Sequence, residues 1–142
     1  MSHHRIRVRK AQFSEREAIV DFFDENLHNM YHDPGFVPAG LIFDKIKRGN
    51  VFVCEVDNKM VGVAITNGKT LWNFVIHKNF RKQRIGSAFL KELNPQQIRI
   101  KAKGGIPDPT GFYSKNGYKP VEFVSSGVTN KKTILLAAKA TA

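Results

Sequence analysis

The sequence lacks most features that mark secreted, metal-binding or membrane-spanning proteins. Its single cysteine, Cys54, cannot form an internal disulfide bond, and no cysteine–histidine cluster has the spacing of a zinc site. No apolar run approaches the ~20 residues that a membrane-spanning helix needs, and the charged N-terminus is unlike a secretory signal. We therefore expect a protein of the reducing cytoplasm, with Cys54 buried as a thiol and with no metal.

Acidic residues are also scarce. The 142-residue chain has 23 lysine and arginine residues against 12 aspartate and glutamate residues, a formal net charge of +11. Such a charge favours a partner of opposite sign, either a phosphate-rich cofactor or an acidic macromolecule such as RNA. The basic residues are nevertheless spread along the whole chain, and no RNA-binding signature such as an RRM motif is present.

The remaining pattern is that of a single α/β domain covering residues 1–142. A hydrophobic content of 42% excludes a disordered chain, and there is no linker, repeat or low-complexity tract. Hydrophobic periodicity and turn residues predict seven strands, at 5–10, 51–56, 59–66, 70–77, 98–103, 118–124 and 132–138. Four helices are predicted, the first starting with a capping box of Ser14 and Glu17. We expect fold class α/β (α+β), with a mixed sheet of six to seven strands flanked by about four helices.

The clearest functional signal lies between residues 71 and 93. An apolar strand is followed by a basic turn with Arg81, Lys82 and Arg84, and then by a helical pattern that opens at Gly86-Ser87. The first N–H groups of a helix lack intrahelical partners and lie at the positive end of its dipole, so this arrangement can bind a pyrophosphate. The alternative is a solvated turn in a basic protein.

This stretch resembles motif A of the GCN5-related N-acetyltransferases (GNAT), Q/R-x-x-G-x-G/A after the fourth strand. In the register that we prefer, Arg81 is the Q/R, Ile85 the middle apolar residue and Gly86 the second glycine. Arg84 stands where the first glycine is expected, which puts the close backbone approach there in question. A second register, Gln83-x-x-Gly86-x-Ala88, matches the letters but misplaces the strand.

A second segment, Phe112-Tyr113-Ser114-Lys115-Asn116-Gly117-Tyr118, resembles motif B of the same family. The shared pattern is an aromatic–tyrosine pair, three residues, then glycine and an aromatic residue. Gly117 alone indicates only that a helix ends. The two motifs occur together at the separation and next to the predicted elements that the family has, which is far more specific than either motif alone. The order of elements extends the resemblance over nearly the whole chain.

The resemblance implies acetyl-CoA (coenzyme A) as cofactor and an amine as acceptor. The fourth and fifth strands would separate, with the pantetheine arm lying between them against backbone groups of Phe74, Val75 and Ile76. The pyrophosphate would lie on the turn and the start of the next helix, which comprise Arg81, Lys82, Gln83, Arg84, Ile85, Gly86 and Ser87. The side chains of Phe74 and Ile76 are expected to belong to the core.

The resemblance also places Tyr113 at the sulfur of the departing coenzyme A, where a phenol can donate a hydrogen bond or a proton as the thiolate forms. The alternative for Tyr113 is an aromatic residue packed on its helix. A general base is not visible, because the fourth and fifth strands carry no carboxylate. Water held by Asn73 is one candidate, and the loop residues His32, Asp33 and Asp108 are others, although surface or capping roles explain these three more simply.

The loop 28–40 would form the acceptor pocket, with Tyr31, Phe36 and Asn73 among the contacts, unless it is only an aromatic loop folded onto the sheet. The leading hypothesis is therefore an N-acetyltransferase in which an amine attacks acetyl-CoA directly in a ternary complex. The amine could belong to a small molecule, a protein or an aminoacyl-tRNA, as in toxin members of the family. The competing hypothesis is a non-catalytic module that binds acyl-CoA or nucleic acid. The protein could be a monomer or a homodimer.

Overall fold

A computed structural model of the chain describes residues 5–26, 39–81, 84–101, 110–125 and 132–139. Within these residues one sheet contains seven strands: β1 (Ile6–Lys10), β2 (Val51–Val56), β3 (Lys59–Asn67), β4 (Thr70–Ile76), β5 (Gln97–Lys101), β6 (Tyr118–Ser125) and β7 (Lys132–Lys139). Four α-helices accompany it: α1 (Arg16–Asn26), α2 (Ala39–Lys47), α3 (Ile85–Leu93) and α4 (Thr110–Lys115). The predicted fold class and element order are confirmed. None of these helices is long and apolar enough to cross a membrane.

The strands lie in the order β1-β2-β3-β4-β5-β7-β6. Among the described strands, β4 and β5 form the one parallel pair, and every other neighbouring pair is antiparallel. Parallel neighbours require a crossover connection, which α3 provides here. The predicted hairpin between β2 and β3 is confirmed, since Asp57 and Asn58 adopt φ of 52° and 63°, as a tight turn of this kind requires.

The start of α1 differs from the prediction, and the capping box predicted between Ser14 and Glu17 is wrong. The Glu15 carboxylate instead accepts a 2.8 Å hydrogen bond from the N–H of Gln12, at a short 3-10 turn that precedes α1. Arg9 on β1 holds both oxygens of Glu15 at 2.7 Å and lowers the pKa of that carboxyl. The cap is thus formed between Gln12 and Glu15 rather than between Ser14 and Glu17, and the salt bridge from β1 holds the Glu15 carboxylate in place.

Two apolar clusters lie on opposite faces of the sheet, because neighbouring residues of β3 and β4 contribute to different clusters. On the α1/α2 face, the buried residues are Ile19, Phe22, Phe23, Ile42, Ile46, Val51, Val53, Val63, Ile65 and Val75. On the α3/α4 face, they are Cys54, Val56, Val61, Ala64, Leu71, Phe74, Ile76, Ile85, Phe89, Leu90, Ile98, Tyr113 and Tyr118. The expected burial of the Cys54 thiol is confirmed.

Candidate active site

The parallel strands β4 and β5 are paired only where they begin. Thr70 is paired with Gln97 and Leu71 with Ile98, although β4 has seven residues and β5 has five. Beyond these two pairs the strands separate and leave an opening in the sheet, which we call the fork. The separation that the family resemblance implies is confirmed.

A bulge in β4 accounts for the position of the fork. Asn73 is paired with Ile65 of β3, whereas Leu71 is paired with the next residue, Thr66. Trp72 is consequently an extra residue in β4. Because a bulge bends and twists its strand locally, it turns β4 away from β5 at the level where their pairing ends.

Backbone groups of β4 line the fork. The N–H of His77 donates to the carbonyl of Val61 at 2.8 Å, and bonds of this kind recur at every second residue of an antiparallel ladder. Val75 therefore bonds to β3, and its backbone points away from the fork. Phe74 and Ile76 point their backbone N–H groups into the fork, while their side chains belong to the core as expected.

The N-terminus of α3 follows β4 after the basic turn. The first intrahelical bond runs from the N–H of Ala88 to the carbonyl of Arg84, at 3.1 Å. The N–H groups of Ile85, Gly86 and Ser87 precede that bond and have no partner within the helix. Three such donors at the positive end of a nine-residue helix can hold a phosphate group.

Arg84 adopts a left-handed conformation, with φ 64° and ψ 4°, and its side chain is exposed. This conformation explains why glycine is expected at this position, since a residue with a side chain is disfavoured there by roughly 1 kcal/mol. The backbone turn that opens α3 is nevertheless formed with arginine in place.

Gly86 lies where α3 packs against both α4 and β4. A Cβ atom at this position would lie 3.4 Å from Cζ of Phe112 and 3.7 Å from Cγ1 of Ile76. The ring of Phe112 also lies 6.3 Å from that of Phe74, centroid to centroid. Phe112 thus joins the start of α3 to the fork. The sequence analysis did not select it, and its position beside Tyr113 in motif B was the available signal.

Tyr113 lies on α4, buried in the cluster of the α3/α4 face. Its ring meets that of Phe112 edge-on, with centroids 5.2 Å apart. Burial raises the pKa of Tyr113, so the phenol stays protonated and can donate a hydrogen bond.

Arg81 braces the basic turn. Its Nε donates to the carbonyl of Ile76 at 3.1 Å, and its Nη2 donates to the carbonyl of Asn26 at 2.7 Å. The buried side chain of Asn26 accepts from the N–H of Lys78 and donates to the carbonyl of Phe22, both at 2.9 Å. The turn is therefore tied to the end of α1, and the sequence analysis missed Asn26. A direct contact between Arg81 and the cofactor stays a prediction.

Several predicted residues lie outside the described part of the chain: Lys82, Gln83, Tyr31, Phe36, His32, Asp33 and Asp108. Asn73 is half-buried in β4. Among the described residues, no group of three or more His, Cys, Asp or Glu side chains is placed to hold a metal ion.

A family model described as an acetyltransferase (GNAT) domain matches residues 47–120, which is more than half of the chain and includes both motifs. No curated protein gives a significant match to the sequence.

Solved structures are similar over nearly the full length. A GNAT-family acetyltransferase from Bacillus cereus ATCC 10987 has a TM-score of 0.70 at 15% identity, over 97% of this chain and 99% of that one. A ribosomal-protein-alanine N-acetyltransferase from Brucella melitensis has a TM-score of 0.68 at 15% identity, over 95% and 99%. The PaiA N-acetyltransferase from Thermoplasma acidophilum, solved with coenzyme A, has a TM-score of 0.65 at 16% identity, over 96% and 99%. At these identities the likeness establishes the fold.

Proposed function

Because the chain belongs to the acetyltransferase (GNAT) family and is an N-acetyltransferase that uses acetyl-CoA, we propose that the fork is its active site. The observation that carries this proposal is the pairing of β4 with β5 at two positions only. The separated strands leave backbone N–H groups of β4 available to a ligand, and the start of α3 adds three more donors at the same end of β4.

The described residues suit this cofactor. The N–H groups of Ile85, Gly86 and Ser87 would hold the pyrophosphate, and the exposed Arg84 adds positive charge beside them. Phe74 supplies the backbone N–H that would hold the thioester oxygen, in the manner of an oxyanion hole. When bound, acetyl-CoA supplies the acetyl group as a thioester.

Tyr113 is the proposed proton donor. The phenol of Tyr113 is protonated, and it would donate a hydrogen bond or its proton to the sulfur of the departing coenzyme A as the thiolate forms. Phe112 packs against it and helps to exclude water from this side of the fork.

The described parts of β4 and β5 carry no carboxylate that could act as a base. We infer that the acceptor amine loses its proton to water, which Asn73 helps to orient, or arrives already neutral. The rate should then rise with pH until the amine is neutral.

The acceptor is an amine, and we propose one carried by a protein or a small molecule of the cytoplasm. Two similar folds support a protein amine, since the Brucella enzyme and one from Escherichia coli are named as N-acetyltransferases of ribosomal-protein alanine.

Thermal melting followed by a thiol-release assay tests the proposal. Acetyl-CoA should raise the melting temperature by several degrees, because it binds only the folded chain, and equimolar pyrophosphate should not. At least one amine in a panel of amino acids, peptides and polyamines should then release free thiol. The lack of a shift would contradict the cofactor site, and a shift without thiol release from any amine would indicate a non-catalytic module.

A further inference from the structure

Three side chains meet at the base of the fork. Trp72 directly follows Leu71, the last β4 residue paired with β5, and Arg99 directly follows Ile98, the last β5 residue of that pairing. Cζ of Arg99 lies 4.9 Å from the centroid of the Trp72 ring. Nζ of Lys45, which reaches the ring from α2, lies 4.4 Å from the same centroid. We call Lys45, Trp72 and Arg99 the fork cluster.

The cations of the fork cluster have no counter-ion in the described part of the chain. Lys45 is only 7% exposed, and its ammonium contacts the ring and the side-chain oxygen of Asn67, at 3.4 Å. Asp44, the acidic residue of α2, is already bound by Arg48 at 2.8 Å. The other ion pairs of the described residues join Arg9 to Glu15 and Glu55.

This arrangement favours an anion. A part-buried ammonium without a counter-ion gains from an anionic partner, because part of its hydration is already lost. The ring offsets part of this cost, by roughly 0.5 to 2 kcal/mol for each cation, but the two like charges beside it repel each other. The planar guanidinium of Arg99 offers paired donors that match a carboxylate.

The position of the fork cluster relative to the active site indicates which ligand supplies that anion. Trp72 is two residues, or roughly 7 Å of strand, from Phe74 at the proposed thioester site. Lys45 approaches from the α1/α2 face, whereas the proposed phosphate site and Tyr113 involve α3 and α4. An anion here would consequently lie near the acceptor amine and away from the cofactor phosphates.

We propose that the fork cluster binds a carboxylate of the acceptor, so that the substrates are primary amines with a carboxylate close to the amine. The inference rests on the proposed function and extends it to a substrate class. A free amino acid and a peptide with an acidic residue beside its N-terminus share this chemistry, and the experiment separates them.

Trp72 is the only tryptophan of the chain, so its fluorescence reports directly on the fork cluster. The full-length protein, with coenzyme A present, is titrated with alanine against alaninamide, and with the C-terminally amidated tripeptide Ala-Glu-Ala against the amidated Ala-Gln-Ala. At least one carboxylate ligand should change the emission saturably, with an affinity about tenfold or more above that of its amide partner, because a hydrogen-bonded charge is lost in the amide. A response to alanine would identify a small substrate, and a response to the peptide a protein substrate.

Variants assign the effect to the fork cluster. Lys45→Met and Arg99→Met should each weaken carboxylate binding about tenfold or more. Lys47→Met is the matched control, since Lys47 is an exposed lysine on the same helix and lies 5.0 Å from a different ring, that of Phe13. It should leave binding unchanged. Arg99→Met provides the answer if Lys45→Met does not fold.

The proposal is overturned if amide and carboxylate ligands give equal responses, or if no ligand changes the emission. Thiol release by the unmodified protein separates this failure from failure of the proposed function. If amines with a carboxylate and their amide counterparts are acetylated equally fast, the proposed function stands and the proposed carboxylate site is overturned. Carboxylate binding without thiol release would support the site and contradict catalysis.

Discussion

The two faces of the sheet offer ligands different kinds of groups. On the α3/α4 face the buried residues are apolar or aromatic, and the donors next to them are backbone N–H groups of the fork and of the start of α3. On the α1/α2 face Asn26 and Lys45 are buried. Among the described residues, these are the two buried side chains that carry an amide or a charge. The groups that the α3/α4 face offers to a ligand thus depend on the course of the backbone, whereas those of the α1/α2 face depend on which side chains are present.

Because of this difference, similar folds are informative about the cofactor site but not about the acceptor. Different sequences can build the same backbone site, which agrees with the shared fold at 15 to 16% identity. A site made of side chains changes with single substitutions. The acceptor therefore has to be inferred from this chain's own residues, such as the fork cluster.

The largest expected effect concerns the one side-chain hydroxyl assigned to catalysis on the α3/α4 face. Tyr113→Phe should lower kcat by about 100-fold while leaving acetyl-CoA affinity unchanged, because it removes only a proton donor. Tyr118→Phe is the matched control, since the Tyr118 hydroxyl bonds the carbonyl of Pro95. The control should lose stability and keep kcat. Equal kcat values for the two variants would contradict the role of Tyr113.

Gly86→Val tests the close packing on the same face. The branched side chain would press on Phe112 and Ile76, so we expect a loss of about 2 kcal/mol in unfolding free energy and of the thermal shift with acetyl-CoA. Gly86→Ala adds only a Cβ in ordinary contact and should remain at least as stable as the parent. Urea denaturation measures both, and a valine variant as stable as the alanine variant would argue against this packing.

Asn26→Leu is the corresponding test on the α1/α2 face. The substitution leaves the N–H of Lys78 without its part-buried acceptor, and the loss of such a hydrogen bond costs roughly 1 kcal/mol. Urea denaturation should show this loss, and KM for acetyl-CoA should rise because the basic turn loses an anchor. A change below about 0.5 kcal/mol would show that the anchor matters little.

The interior of the α3/α4 face should also resist ionisation. Burial raises the pKa of the Cys54 thiol from 9.0 to about 12. The unfolded chain therefore releases the thiol proton at a lower pH than the folded chain does. The contribution of Cys54 to stability is fully present below pH 9 and is lost as the pH rises towards 12. Melting temperatures measured from pH 8 to 11 should decline less steeply for Cys54→Ala. Identical slopes for both proteins would contradict the assignment.

The smallest effect is expected at Arg84, where the fold imposes a left-handed conformation. Arg84→Gly should stabilise the protein by about 0.5 to 1 kcal/mol, as measured by urea denaturation. Its acetyl-CoA affinity should fall slightly with the loss of one charge. A destabilised glycine variant would show that the arginine side chain contributes more than its strain costs.

The features that depend on neighbouring residues could be predicted from the sequence. Alternation identified the strands, Asp57-Asn58 identified the hairpin, and Gly86 and Gly117 marked the two motifs, because each of these signals operates within a few residues. Tyr113 could be selected in the same way, since motif B lies within one short segment.

The features that join distant segments could not be predicted from the sequence and are visible in the folded chain. The salt bridge between Arg9 and Glu15 joins two elements, and the bulge at Trp72 appears only when β4 is paired with β3. The fork cluster brings Lys45 and Arg99 together from positions more than fifty residues apart in the chain. Local patterns carry no information about such contacts, because their energies arise only once the sheet has assembled.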